Sequence, residues 1–192
     1  EESGYLAEIM QEEYSDLNLS QAPRIIHSPD ARDALRLLSA REFDLVITMA
    51  RVGEMDVKAF GTEAKRVIEG LSVVMLSHNT RELATLSAGD GIDRIFVWTG
   101  DSRILLAICK LIEDERNVEN DVRDGDVQVI LLVEDSRRFY STYLPLLYTQ
   151  LVNQTKRLMG EGGNLHEKLL RLRARAKILL ASDMNSAKSI IN

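Results

Sequence analysis

Cysteine is nearly missing from this 192-residue chain: Cys109 is the only one. A disulfide within the chain is excluded, and nothing ties the protein to an oxidising compartment. Histidine is scarce too, with three residues (His27, His78 and His166), none followed by a second at metal-ligand spacing, so a zinc site has no support. Positive charge is not in excess. Lys and Arg number 24 against 30 Asp and Glu, a net charge of -6 that argues against nucleic-acid binding. No apolar stretch reaches the roughly 18 residues that a membrane-spanning helix needs, and no secretory pattern opens the chain. The expectation is a soluble, cytoplasmic protein without a membrane partner. The first residues, "EESGYLAEIM", lack an initiator Met, so the chain reads as a piece of something longer.

What is present is an alternation of two periods. Apolar residues at helical spacing (Tyr5, Leu6, Ile9, Met10) predict a helix over 3–15. "PRIIHSP" (23–29) reads as a short strand between two prolines, and Asp30 is a good N-cap for a helix over 30–42. Apolar strands follow at 44–50, 71–78 and 93–100, separated by a helix at 57–70 and a short helix with its turn at 80–91 and closed by a helix at 102–120. Strands apolar on both faces, separated by helices, mean a parallel sheet covered on both sides, an α/β protein.

The polar stretch "ENDVRDGD" (119–126) is the expected linker, after which the pattern restarts. "VQVILLVEDS" (127–136) reads as a strand and 137–159 as a long helix, bent or irregular at Pro145. "GEGGN" (160–164) is a break and 165–173 a second helical piece. A strand at 176–182 and a helix from Asp183 complete the chain. Two units result: residues 1–118, without a first strand, and residues 127–192, the leading half of a second.

The residues that could carry chemistry stand at strand ends, where open parallel sheets bind ligands. Glu134 and Asp135 close an apolar run with two hard oxygen donors suited to magnesium, or form a solvated strand end. Cys109 lies on an apolar helix face and reads as core. Tyr140, Tyr143, Leu144, Leu147, Tyr148 and Leu151 form a broad apolar stripe for core packing or a helix-to-helix dimer. Lys168, Arg171, Arg173, Arg175 and Lys177 read as a solvated helix face or, less favoured, a surface for an acidic partner. His166, followed by Glu167, reads as a surface histidine or, less favoured, as a kinase-like phosphoacceptor position.

A strand ending in an acidic pair within a repeated strand–helix pattern resembles the receiver domain of bacterial two-component signalling. The resemblance implies a doubly wound, flavodoxin-like fold in which the acidic pair holds magnesium. It also implies an Asp ending the third strand that takes a phosphoryl group from a histidine kinase. A Ser or Thr ending the fourth strand and a Lys ending the fifth then contact that group. In this chain the acceptor position falls on Met49, the hydroxyl on Ser77 and the lysine on Trp98, and the first acidic pair is missing. The first unit therefore resembles a pseudo-receiver, with no catalytic residue. The second offers Glu134 and Asp135 as metal ligands and nothing further, so magnesium binding is expected to be weak or absent in this chain.

Three stretches, "FDLVITMARVGEMD", "WTGDSRILLAICKLIEDERNVENDV" and "VQVILLVEDSRRFYSTYLPLLY", resemble the amino-terminal region of bacterial multidomain proteins related to phosphoenolpyruvate synthase and pyruvate, phosphate dikinase. That resemblance implies a regulatory, non-enzymatic module attached to an output domain that binds PEP and pyruvate. Two other classes stand beside it: a magnesium-dependent phosphoryl-transfer enzyme, and a dimerisation scaffold. The first would need a nucleophilic Asp two residues from a second Asp at a strand end, and no apolar strand here carries that pair. The absent first strand points to chain outside these residues, or to a strand exchanged with a second copy.

Overall fold

A computed structural model describes residues 2–16, 22–78, 88–89, 91–125, 127–159 and 175–191. The chain divides into two compact units. One comprises Glu1–Leu6 with Arg24–Asp101, the other Ala7–Pro23 with Ser102–Asn192.

In the first unit Asp30 accepts a hydrogen bond from the Asp33 N–H at 2.9 Å and caps helix α2 (Ala31–Ala40), as its position before an apolar-periodic run predicts. Strand β1 (Leu45–Met49) follows, then a hairpin of β2 (Arg51–Val52) and β3 (Met55–Asp56). Asp56 caps helix α3 (Val57–Val67) by accepting from the Lys58 and Ala59 amides. Strands β4 (Ser72–Ser77) and β5 (Arg94–Val97) complete a parallel sheet ordered β1-β4-β5. The apolar run of β4 lies almost wholly inside, as a central parallel strand must. Val57, Phe60 and Ala64 of α3 join Val73, Met75 and Ile95 of the sheet in one core with Leu71 and Ile92.

Two glycines let α3 approach the loop before β5. A Cβ on Gly61 would stand 2.5 Å from the Gly91 oxygen, and one on Gly91 would stand 2.3 Å from the Thr62 nitrogen. Gly91 also holds φ at +91°, where side chains are strained.

Helix α1 (Glu2–Asp16) spans the division between the units at Leu6 and Ala7. The second unit is built on α4 (Arg103–Gly125), β6 (Val129–Val133), α5 (Arg137–Met159), β7 (Lys177–Ala181) and α6 (Met184–Ile191). Met10 and Tyr14 of α1 are buried in it, with the Lys110 ammonium 5.4 Å from the Tyr14 ring centre. Strands β6 and β7 pair in parallel from Val129↔Lys177 to Val133↔Ala181. The α5 stripe buries Tyr140, Leu144, Tyr148 and Val152.

The α/β class and the parallel pairing agree with the sequence. The order β1-β4-β5 and the parallel pair β6-β7 are both compatible with parts of the doubly wound order 2-1-3-4-5.

Several expectations are corrected. Residues 23–29 form no strand, and no partner strand captures their backbone among the described residues. The linker expected at 119–126 is helix as far as Gly125, because Asp121 is tied to buried Lys177 at 2.7 Å and holds this polar turn down. Helix α5 is continuous from Arg137 to Met159, with Pro145 inside it, so the proline does not end the helix. The strand "VILLV" is not deep in a sheet. Among the described residues it pairs with β7 alone, and Val129 and Val133 are 42% and 50% exposed. Tyr143 of the apolar stripe is exposed and stacks on Phe139 at 6.0 Å between ring centres. Arg175 and Lys177 are no solvated helix face; both are buried beside Asp114. The helix-and-turn piece expected at 80–91 is described only at residues 88, 89 and 91, which are not helical, and the pieces expected at 160–173, with His166, Lys168, Arg171 and Arg173, lie outside the described residues.

Candidate functional site

Parallel register brings the three predicted positions of the first unit to one sheet edge. Met49 is the last residue of β1 and sits opposite Leu76, one residue before Ser77 ends β4. Ser77 stands opposite Val97, and its carbonyl accepts the Trp98 N–H at 2.9 Å. Met49, Ser77 and Trp98 thus form one row along the carboxyl ends of β1, β4 and β5. Met49 is 40% exposed, whereas Ser77 is buried. His78 meets the Trp98 ring edge-on with centroids 6.2 Å apart. A thioether has no oxygen to accept a phosphoryl group, and an indole carries no cation to neutralise one.

In the second unit the acidic pair lies just beyond β6. The Glu134 N–H donates to the Ala181 carbonyl at 3.0 Å, which extends the ladder by one residue. Its carboxylate turns back and accepts from the Ser136 N–H at 2.9 Å. Ser136 then caps α5, its hydroxyl lying 3.4 Å from the Phe139 nitrogen. Asp135 is exposed. The neighbouring strand end carries Asp183, which sequence reasoning had placed only as a cap. It accepts from the Asn185 and Ser186 amides at 2.8 and 2.9 Å. The Ser186 hydroxyl, followed by these backbone donors, holds its carboxyl below the usual carboxylate range.

Among the described residues no three His, Cys, Asp or Glu side chains come together to hold a metal ion. Glu134 and Asp135 are oxygen donors of the right kind for magnesium, but with no third carboxylate grouped with them among the described residues they fit it only as an incomplete set. Cys109 offers no nucleophile either, since burial, ahead of the opposing effect of Lys110, pushes its thiol up to about 11.

The densest polar cluster was not singled out from sequence. Asp114 of α4 is wholly buried and accepts four hydrogen bonds. Two come from the Arg175 guanidinium at 2.7 and 2.9 Å, one from the Tyr148 hydroxyl at 3.1 Å and one from the Ile178 N–H at 2.9 Å. Its signal would have been an acid closing a largely apolar helix stretch, "LLAICKLIED", matched by basic residues entering an apolar strand.

No described helix is long and apolar enough to cross a membrane. No family model matches the sequence, and no curated protein does. A solved structure matches, a signal receiver domain of an HD domain-containing protein from Pseudomonas fluorescens Pf-5. It is 26% identical, covering 59% of this chain and 85% of that one with a TM-score of 0.44.

Proposed function

We propose that the chain is a regulatory module of the two-component receiver type, whose first unit takes no phosphoryl group and which acts on an attached output domain. The observation that carries this reading is the row Met49, Ser77, Trp98 at one sheet edge. The positions are those of a phosphoryl-accepting site, and the residues at two of them cannot do its chemistry. Regulation would then work through surface contacts of the first unit. A histidine kinase could act only on the second unit, and the output domain would bind PEP and pyruvate. Beryllium fluoride with magnesium mimics a phosphoryl group on an acceptor Asp. The expected result is that the amide spectrum of residues 24–101 stays unchanged on its addition, and shifts around Met49 would overturn the reading.

In the second unit, Glu134 and Asp135 would hold magnesium, bringing charge neutralisation for a transferring phosphoryl group. Asp135 would face the ion, while Glu134 must first release the Ser136 amide. Titrating magnesium against the native chain and against Asp135→Asn tests this. An identical response in both would remove the metal from the account.

A second reading, a self-associating scaffold, is favoured by the exposed apolar residues of β6, which pairs only with β7 among the described residues. Exposed apolar edge strands recruit further strands. Light scattering that shows a monomer at every concentration would exclude it.

A further inference from the structure

Helix α4 poses a packing problem of its own. Ile104, Leu105, Leu106, Ala107 and Ile108 are five consecutive buried positions, joined by Leu111 and Ile112. A helix apolar on every side can shift by one residue, a rotation of about 100° and a rise of about 1.5 Å, and still bury apolar surface. Apolar packing alone therefore gives this stretch no single seat.

The charges on the same helix do. Asp114 meets the Arg175 guanidinium through both carboxylate oxygens, and the Arg175 plane lies 5.4 Å from the Tyr148 ring centre. Two turns further along, Asp121 takes Lys177 at 2.7 Å, and Lys177 stands 3.8 Å from Asp114. Two acids on α4 thus balance two bases at the start of β7. Arg175 and Lys177 are only 6% and 3% exposed, so each base needs its acid. A one-residue shift of α4 would carry Asp114 away from the Tyr148 hydroxyl and the Ile178 amide and leave buried donors unpaired.

We infer that this neutral cluster is a seating device, which fixes the rotation and register of α4 on β7 and α5. Buried ion clusters often add little to stability compared with apolar replacements, and a buried polar group can instead select one arrangement. Selection matters here because α4 is the chain's route from β5 of the first unit to β6 of the second. It starts at Arg103, six residues after Val97. A signal passing along the chain meets a helix with one seat. The inference concerns the second unit alone and holds or fails without reference to phosphoryl chemistry.

The test compares Asp114→Asn with Asp114→Asn/Arg175→Met in the whole chain. Asn keeps an acceptor for the Tyr148 hydroxyl and the Ile178 amide. The single variant strands the buried Arg175 charge and is expected to be the less stable of the two in denaturant. The double variant removes both charges and is expected to recover stability while losing its single seat. Amide exchange across residues 110–121 should rise by about tenfold or more, as local opening becomes easier, and α4 amides should show more than one resonance each. Native exchange with single resonances in the double variant would overturn the inference. Should that variant fail to fold, Lys177→Met reads the same device at Asp121. Faster exchange at 118–125 supports it, and native exchange there overturns it.

Discussion

Single residues set how reactive and how tolerant this chain is. Cys109 is the only thiol, and its burial pushes it up to about 11. At pH 8 it is almost wholly protonated, so alkylation of the native chain should be slow, accelerating as pH climbs towards that value or on unfolding. Rapid modification at pH 8 would show that the α4 face carrying it is open. Gly91 combines a left-handed φ with a Cβ direction already filled by the α3 backbone. Gly91→Ala should cost on the order of 3 kcal/mol or more by chemical denaturation. Asp183 has its folded carboxyl lowered, so its contribution is present above the unfolded carboxylate pKa and lost as pH falls through the folded one. The gap in melting temperature between native chain and Asp183→Ala should therefore be open at neutral pH and close in strong acid.

At the scale of elements, sequence and structure agree where one period dominates. The apolar runs of β1, β4, β5, β6 and β7 and the caps Asp30 and Asp183 stand out because strand formation and capping are local. Phe60 follows from the same logic: it faces the sheet from α3 and is 1% exposed, so Phe60→Ala should cost about 3–5 kcal/mol in denaturant. "PRIIHSP" misleads because a strand needs a partner edge as well as an apolar run, and here it has none among the described residues. The stretch 119–126 misleads in the other direction. Its composition is that of a linker, but two long-range partners, Arg175 and Lys177, hold α4 down beyond the apolar part. Those partners stand 61 and 56 positions away from their acids, a separation that no local pattern reports. Strand β6, an edge strand among the described residues, completes this scale. Val133→Lys places a charge on its exposed face and should reduce any self-association seen by sedimentation.

For the molecule as a whole, the row at the carboxyl edge of the first sheet matters most. Its three members lie 28 and 21 positions apart in sequence, and parallel register alone brings them together. Sequence comparison with a receiver pattern marked each of them. The structure adds that Met49 and Ser77 differ in exposure and that Trp98 is tied to Ser77 through the backbone. The acidic pair of the second unit was equally visible, while the turn of Glu134 onto Ser136 was not, because it depends on the chain direction after β6. The central claim is that the first unit keeps a phosphoryl-accepting geometry without the acceptor. The most direct measurement is intact mass and peptide mapping after incubating the chain with acetyl phosphate and magnesium. No acid-stable or base-labile phosphoryl adduct is expected on residues 24–101, and an acyl phosphate mapped to that unit would contradict the claim.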